Sequence, residues 1–151
     1  MHTEASEMHA SIPDPSRPDL ELMHAVIEQA PDAIIMIDNA GAVQIWNRKA
    51  VEIFGFSMKE AMEGGLDLII PENLKAAHDR GFGAAIAAGK TRSEGRAILT
   101  RAKHRNGTKL YVEMSFAIVT DASGRTSGAL AIARDVTERR LAELARRKKP
   151  E

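Results

Sequence analysis

His78 is the residue with the most chemistry to offer. It lies in the stretch 71–82, PENLKAAHDRGF, where Leu74, Ala77, His78, Gly81, Phe82 and Ala85 follow i, i+3, i+4, i+7 spacing. That spacing puts them on one face of a helix, with Lys75, Asp79 and Arg80 turned away. An inward imidazole has two ordinary uses. It can hydrogen-bond a carbonyl or carboxylate as a core residue, or it can offer a ring nitrogen to a metal such as iron. Ala77, Gly81, Gly83, Ala84 and Ala85 leave a shallow wall around it, where large side chains would normally interdigitate. A glycine inside a helix costs roughly 1 kcal/mol relative to alanine. Close approach of a flat ligand is one compensation for the two glycines here.

The wall opposite comes from two downstream strands. Arg96, Ile98 and Thr100 share one face of the first, residues 96–104. On the second, residues 109–120, Leu110, Val112, Met114, Phe116 and Ile118 form a strongly apolar face that should line the core. Tyr111, Glu113 and Ser115 point away from it. Arg96 is always protonated, so it can donate hydrogen bonds but cannot ligate a metal. It is either a donor inside a site or a surface arginine paired with Glu94.

Other chemistries fare poorly. There is no cysteine, which excludes disulfide scaffolds, zinc–thiolate and iron–sulfur sites, thiol catalysis and thiol-linked chromophores. There is no phosphate-binding glycine loop, no nucleophile elbow and no HExxH. The remaining histidines promise less. His2 and His9 lie in the N-terminal segment, His24 sits on the first helix, and His104 flanks a turn as a solvated residue. Trp46 reads as structural, and Asp135 and Arg139 read as a junction contact.

The elements that must position these residues follow from local signals. Residues 1–19 carry Pro13, Pro15 and Pro18 and no apolar period, and read as a disordered leader. A short amphipathic helix with Leu22, Met23, Val26 and Ile27 follows, and Pro31 ends it. AIIMID at 33–38 and the strand 43–46 form a hairpin around Asn39-Ala40-Gly41. Asn47 caps a helix that Gly55 stops, and Ser57 caps another through Met62. The helix carrying His78 spans 71–88, with Pro71 and Glu72 in its first turn. Strands at 96–104, 109–120 and 127–134 come next, the first pair joined at Asn106-Gly107. A charged helix, ERRLAELARRKK, then runs to Pro150. Hairpins with helices gathered between them indicate an α+β fold, an antiparallel sheet with helices on one face.

The 151 residues amount to one domain with a tail at each end, 44 % hydrophobic and 28 % charged. Lys+Arg and Asp+Glu each count 21, so zero net charge gives no reason to expect nucleic acid as a partner. No apolar stretch approaches the roughly 20 residues of a membrane span, and no signal peptide is visible. A cytoplasmic location without membrane contact is the expectation.

Several local motifs resemble those of PAS domains. They are Ala30-Pro31-Asp32-Ala33 before the first strand, Trp46-Asn47, Phe54-Gly55-Phe56-Ser57, the Asn106-Gly107 turn, and Asp135-Val136-Thr137-Glu138-Arg139 at the end. The resemblance implies a five-stranded antiparallel sheet with helices on one face over residues 20–136, flanked by terminal amphipathic helices. Residues 137–151 would form a signalling helix. The stretch 71–82 is further similar to the haem-binding helix of oxygen-sensing PAS proteins, both rhizobial kinases and a bacterial phosphodiesterase.

That narrower resemblance implies haem b, with His78 as proximal iron ligand and Leu74, Ala77, Gly81, Phe82, Arg96, Ile98, Met114 and Phe116 around the cofactor. It implies a non-catalytic sensor of a diatomic gas (O2, CO or NO) or of redox state. The likeness also implies a homodimer through the terminal helices and relay to an output domain or kinase partner. The chain departs from the pattern at two places. A methionine that ligates iron in the phosphodiesterase is Arg96 here, and an arginine that contacts oxygen in both groups is Ile98. Arg96 would have to act from a shifted position; otherwise Met114 is a candidate sixth ligand. A cofactor-free dimerisation or relay module, and a pocket for another small molecule such as non-covalent flavin, are the alternatives.

Overall fold

A computed structural model describes residues 14–148. The greater part of the expected leader, with His2 and His9, and the segment at Pro150 lie outside the described residues. Helix α1 (Leu20–Gln29) leads into strands β1 (Ala33–Asp38) and β2 (Val43–Trp46). Helices α2 (Arg48–Phe54) and α3 (Met58–Gly64) follow, then 3-10 turns at Leu66–Leu68 and Glu72–Leu74, then α4 (Lys75–Ala88). Strands β3 (Ile98–Lys103), β4 (Lys109–Thr120) and β5 (Thr126–Asp135) complete the sheet, and α5 (Thr137–Arg147) leaves it. The five strands are antiparallel in the order β2-β1-β5-β4-β3, an α+β architecture.

Register defines the face that matters. On β1, Ala33, Ile35 and Ile37 are buried and stand opposite Ala133, Ala131 and Ala129 of β5. Those alanines in turn face Met114, Phe116 and Ile118 of β4, and Met114 faces Ile98 of β3. One sheet surface therefore carries a row of large residues on β4 beside a strip of alanines on β5. The buried core gathers at one end of it, where Ile53 and Phe54 of α2, Ala61 of α3 and Ile69 meet Trp46, Ala102, Leu110 and Val112. Met114, Ala129, Ala131 and Phe82 are only partly buried against that cluster.

Asn47 holds the N-terminal half together. Its Oδ1 accepts from Ile34 N at 2.9 Å and, as the α2 cap, from Ala50 N at 3.1 Å. Its Nδ2 donates to the carbonyls of Ile27 at 2.8 Å and Asp32 at 3.1 Å. Buried polar groups need such complete pairing. Trp46 is structural as expected, its indole N–H donating to the Phe56 carbonyl at 3.0 Å. Gly128 is required for another reason: a Cβ there would collide with the Ile37 carbonyl across the β1–β5 pair.

Ser57 and Glu60 form a reciprocal capping box at the start of α3. Ser57→Ala should lower stability by about 1 kcal/mol, read as an earlier urea midpoint with an unchanged slope. Glu60 also pairs with Arg105, whose guanidinium lies over the Phe56 ring. The Arg105 hydrogen bond, assisted by the Ser57 N–H, holds the Glu60 carboxyl below its usual range. A depressed carboxylate stabilises the fold above its unfolded pKa, and that contribution fades as pH falls through the folded value. Glu60→Gln is therefore expected to flatten the acid limb of a pH–stability curve.

Several expectations shift. The first downstream strand begins at Ile98 and ends at Lys103, because Arg96 N is bonded back to the Ser93 carbonyl in the preceding turn. The helix expected over 71–88 starts as a 3-10 turn and becomes α-helical only at Lys75. Asp135 and Arg139 do not pair. Asp135 accepts from the Thr137 N–H and hydroxyl, while Arg139 bonds Glu113 at 3.1 Å. His104 is half-buried over Gly55 rather than solvated, with Nδ1 accepting from Asn106 N.

Candidate functional site

Helix α4 lies over the half-covered end of the sheet and approaches β5. None of its residues is buried. Its covered side consists of Leu74 just before it, then Lys75, His78, Phe82, Ala85 and Ile86. Ala77 and Gly81, expected on that side, are exposed. Phe82 explains the rotation. It is the largest apolar side chain of α4 and packs against the core, so its i±4 neighbours His78 and Ile86 turn inward with it. Lys75, expected to face away, is drawn down and pairs with Glu72 at 2.8 Å.

His78 is 32 % exposed at the side chain, and its ring lies parallel to Phe82, 3° apart in plane with centroids 6.4 Å apart. Its Nδ1 is buried and has no hydrogen-bond partner among the described residues. The Asp79 Oδ1 stands 3.5 Å from that atom, outside hydrogen-bond geometry. A buried ring nitrogen left unpaired costs free energy. Metal-bound histidines donate one ring N–H to a carboxylate or carbonyl; Asp79 stands close to Nδ1 but does not accept from it. Among the described residues no three His, Cys, Asp or Glu side chains gather into a metal-binding group. Iron at His78 would thus need its other ligands from a macrocycle.

Across from α4 the sheet offers Ile98 and Met114 as a directly opposed pair, Phe116 one step further, and the floor of Ala129 and Ala131. Ile98 is 43 % exposed, and Met114 and Phe116 are half-buried. This is apolar surface that the protein's own atoms leave partly uncovered. Arg96 stands apart. It lies outside the strand, is exposed, and its Nε donates to the Ser93 carbonyl at 3.1 Å rather than pairing with Glu94.

A cleft of about 330 Å³ lies elsewhere, between Pro31, Asp32, Lys49, Glu52, Ile53, Arg134 and Asp135. Arg134 bridges Asp32 there through two hydrogen bonds of 3.0 and 3.1 Å. None of the residues singled out for cofactor binding lines it. The alanine strip on β5 was not among those residues either. Its signal is the alternation Gly128-Ala129-Leu130-Ala131-Ile132-Ala133, small on every second position.

Comparison with known proteins bears on this arrangement. The family model for the PAS fold matches residues 21–136. The chain belongs to the PAS family and is a PAS sensor domain. It is 28 % identical over 120 residues to the sensor protein FixL of Bradyrhizobium diazoefficiens, covering 77 % of this chain and 23 % of that protein. It is 25 % identical over 111 residues to the oxygen sensor protein DosP of Escherichia coli, covering 74 % of this chain and 14 % of that one. The chain thus spans less than a quarter of the curated relatives it matches. Among solved structures it resembles the PAS domain of a protein from Colwellia psychrerythraea, with a TM-score of 0.67, 21 % identity, and 79 % and 98 % of the two chains covered. It also resembles an RNA-binding light-oxygen-voltage receptor, with a TM-score of 0.63, 20 % identity, and 89 % and 41 % covered. At these identities the structural likeness speaks for the fold. No helix among the described residues is long and apolar enough to cross a membrane.

Proposed function

We propose that the domain binds haem b through His78 and senses a diatomic gas or redox state, passing the signal onward without catalysing a reaction itself. The observation that carries this reading is the buried, unpartnered Nδ1 of His78, set beside Asp79 on a helix facing an alanine-floored apolar surface. The likeness to FixL and DosP supports it. When bound, the iron of the haem would supply a coordination position for the gas.

The chain's own residues do the rest. His78 would offer Nε2 to the iron, and Asp79, 3.5 Å from Nδ1, would have to close in to take a hydrogen bond from it, orient the ring and raise its basicity. Phe82 stands parallel to the imidazole, while Leu74, Ile98, Met114 and Phe116 would line the cofactor. Entry of a flat ring between α4 and β5 requires α4 to move outward. Having no buried residue and two interior glycines, α4 is suited to do so.

The output route begins at β4. Thr137 Oγ1 accepts from Tyr111 N at 2.9 Å, and Arg139 of α5 bonds Glu113. A shift of β4 is thereby felt at the root of α5. A signal requires the ligand to favour one of two such arrangements. Helices α1 and α5 expose Leu20, Leu22, Met23, Val26 and Leu141, and would serve a homodimer and an output domain or kinase partner.

The close approach of α4 to β5 favours a second reading, a cofactor-free dimerisation or relay module. The visible spectrum of protein expressed with a haem precursor separates the two. A Soret band supports the haem reading. A colourless protein that also refuses added hemin supports relay, and bands of a yellow flavin would support neither.

A further inference from the structure

We infer that the haem site proposed between α4 and the sheet takes a diatomic needing no hydrogen-bond help, carbon monoxide being the model, and discriminates against dioxygen. The inference rests on the haem reading and deepens it. Distal polarity and donor groups govern how well haem iron retains dioxygen, whereas carbon monoxide needs no donor. The relevant face of this chain is nearly devoid of donors.

Beyond the buried core, the inner surface of β3 and β4 presents Ile98, Met114, Phe116 and Ile118, in register with Ala133, Ala131 and Ala129. None of these side chains carries an N–H or O–H group. The nearby donors are engaged or displaced. Arg96 lies two residues before the strand, exposed, with Nε bonded to the Ser93 carbonyl. The Thr91 hydroxyl donates to the Phe116 carbonyl at 3.4 Å. Lys75 on the covered side of α4 is held by Glu72. Thr100 is the one hydroxyl on the β3 inner face, and it stands opposite Val112, one pair deeper toward the core than Ile98.

Ile98 is the position where a donor would have most effect. It is the first residue of β3, directly opposite Met114, and 43 % exposed, so a longer polar side chain fits at the rim. Ile98→Arg should create the missing donor.

The test uses the hemin-loaded chain, reduced and desalted without oxygen, with gas dissociation followed by stopped-flow absorbance. The wild type should form a stable carbon monoxide spectrum and lose dioxygen quickly. Ile98→Arg should slow dioxygen dissociation by roughly tenfold or more, the value of a charge-assisted hydrogen bond, and leave carbon monoxide dissociation within about twofold. Arg96→Ala should leave both unchanged. Slow dioxygen loss in the wild type that becomes roughly tenfold faster in Arg96→Ala or Thr100→Val would overturn the inference. So would a loaded wild type that refuses both gases until Met114→Ala is made, since the thioether would then hold the position. A wild type with no Soret band at all instead removes the haem reading beneath it.

Discussion

His78→Ala is expected to reduce hemin retention by about a hundredfold or more, equivalent to roughly 3 kcal/mol, while leaving the fold intact. The imidazole is the only one on the covered side of α4, and among the described residues no three His, Cys, Asp or Glu side chains gather into a metal-binding group. The fold should survive because His78 makes no hydrogen bond there and is not part of the buried core. Hemin titration checks the first half and far-UV circular dichroism the second. His78→Gly offers a sharper version, because added imidazole should restore the Soret band if coordination alone was lost. Asp79→Asn should act more mildly. Outer-shell partners of metal-bound histidines typically contribute about 10–100-fold in metal affinity.

Asn47→Leu should cause the largest loss of stability, about 3–4 kcal/mol, read as a lower urea midpoint. The side chain is almost fully buried and makes four hydrogen bonds, joining α1, the start of β1 and the start of α2. Leucine preserves the volume but leaves two N–H groups and two carbonyls unpaired. Each buried unpaired group costs about 1–3 kcal/mol, and such costs are not additive. A domain with typical stability of roughly 5–15 kcal/mol would keep its fold with little margin. Because Nδ2 holds the Ile27 carbonyl, α1 should become protease-sensitive before the sheet does.

Much of the fold was readable because its signals are local. Asn106-Gly107 and Asn39-Ala40-Gly41 mark turns by chemistry confined to a few residues. The unbroken apolar run 33–37 marks a buried strand, and the alternation in 109–120 fixes which side of that strand is apolar. Asn47 and Ser57 announce helix starts by side-chain type, although nothing in the sequence discloses that Asn47 also reaches Ile27 and Asp32. That role depends on contacts made across 15 and 20 residues of chain.

The site was harder to read. Periodicity put Ala77 and Gly81 beside His78, but Phe82 anchors α4 to the core and rolls Lys75 and Ile86 inward instead. Alternation carries the strand containing Ile98 back to Arg96, because it cannot see the Ser93–Arg96 turn. That difference of two residues decides whether an arginine can share a face with Ile98. The junction expected between Asp135 and Arg139 was redirected because Glu113, distant in sequence, lies nearer to Arg139.

The most direct measurement is a titration of hemin into the purified wild-type chain, followed in the Soret region with iron content determined on the washed complex. The account predicts saturation at one hemin per chain and a spectrum set by a single histidine ligand. A featureless rise matching free hemin, with no iron retained after washing, would contradict it.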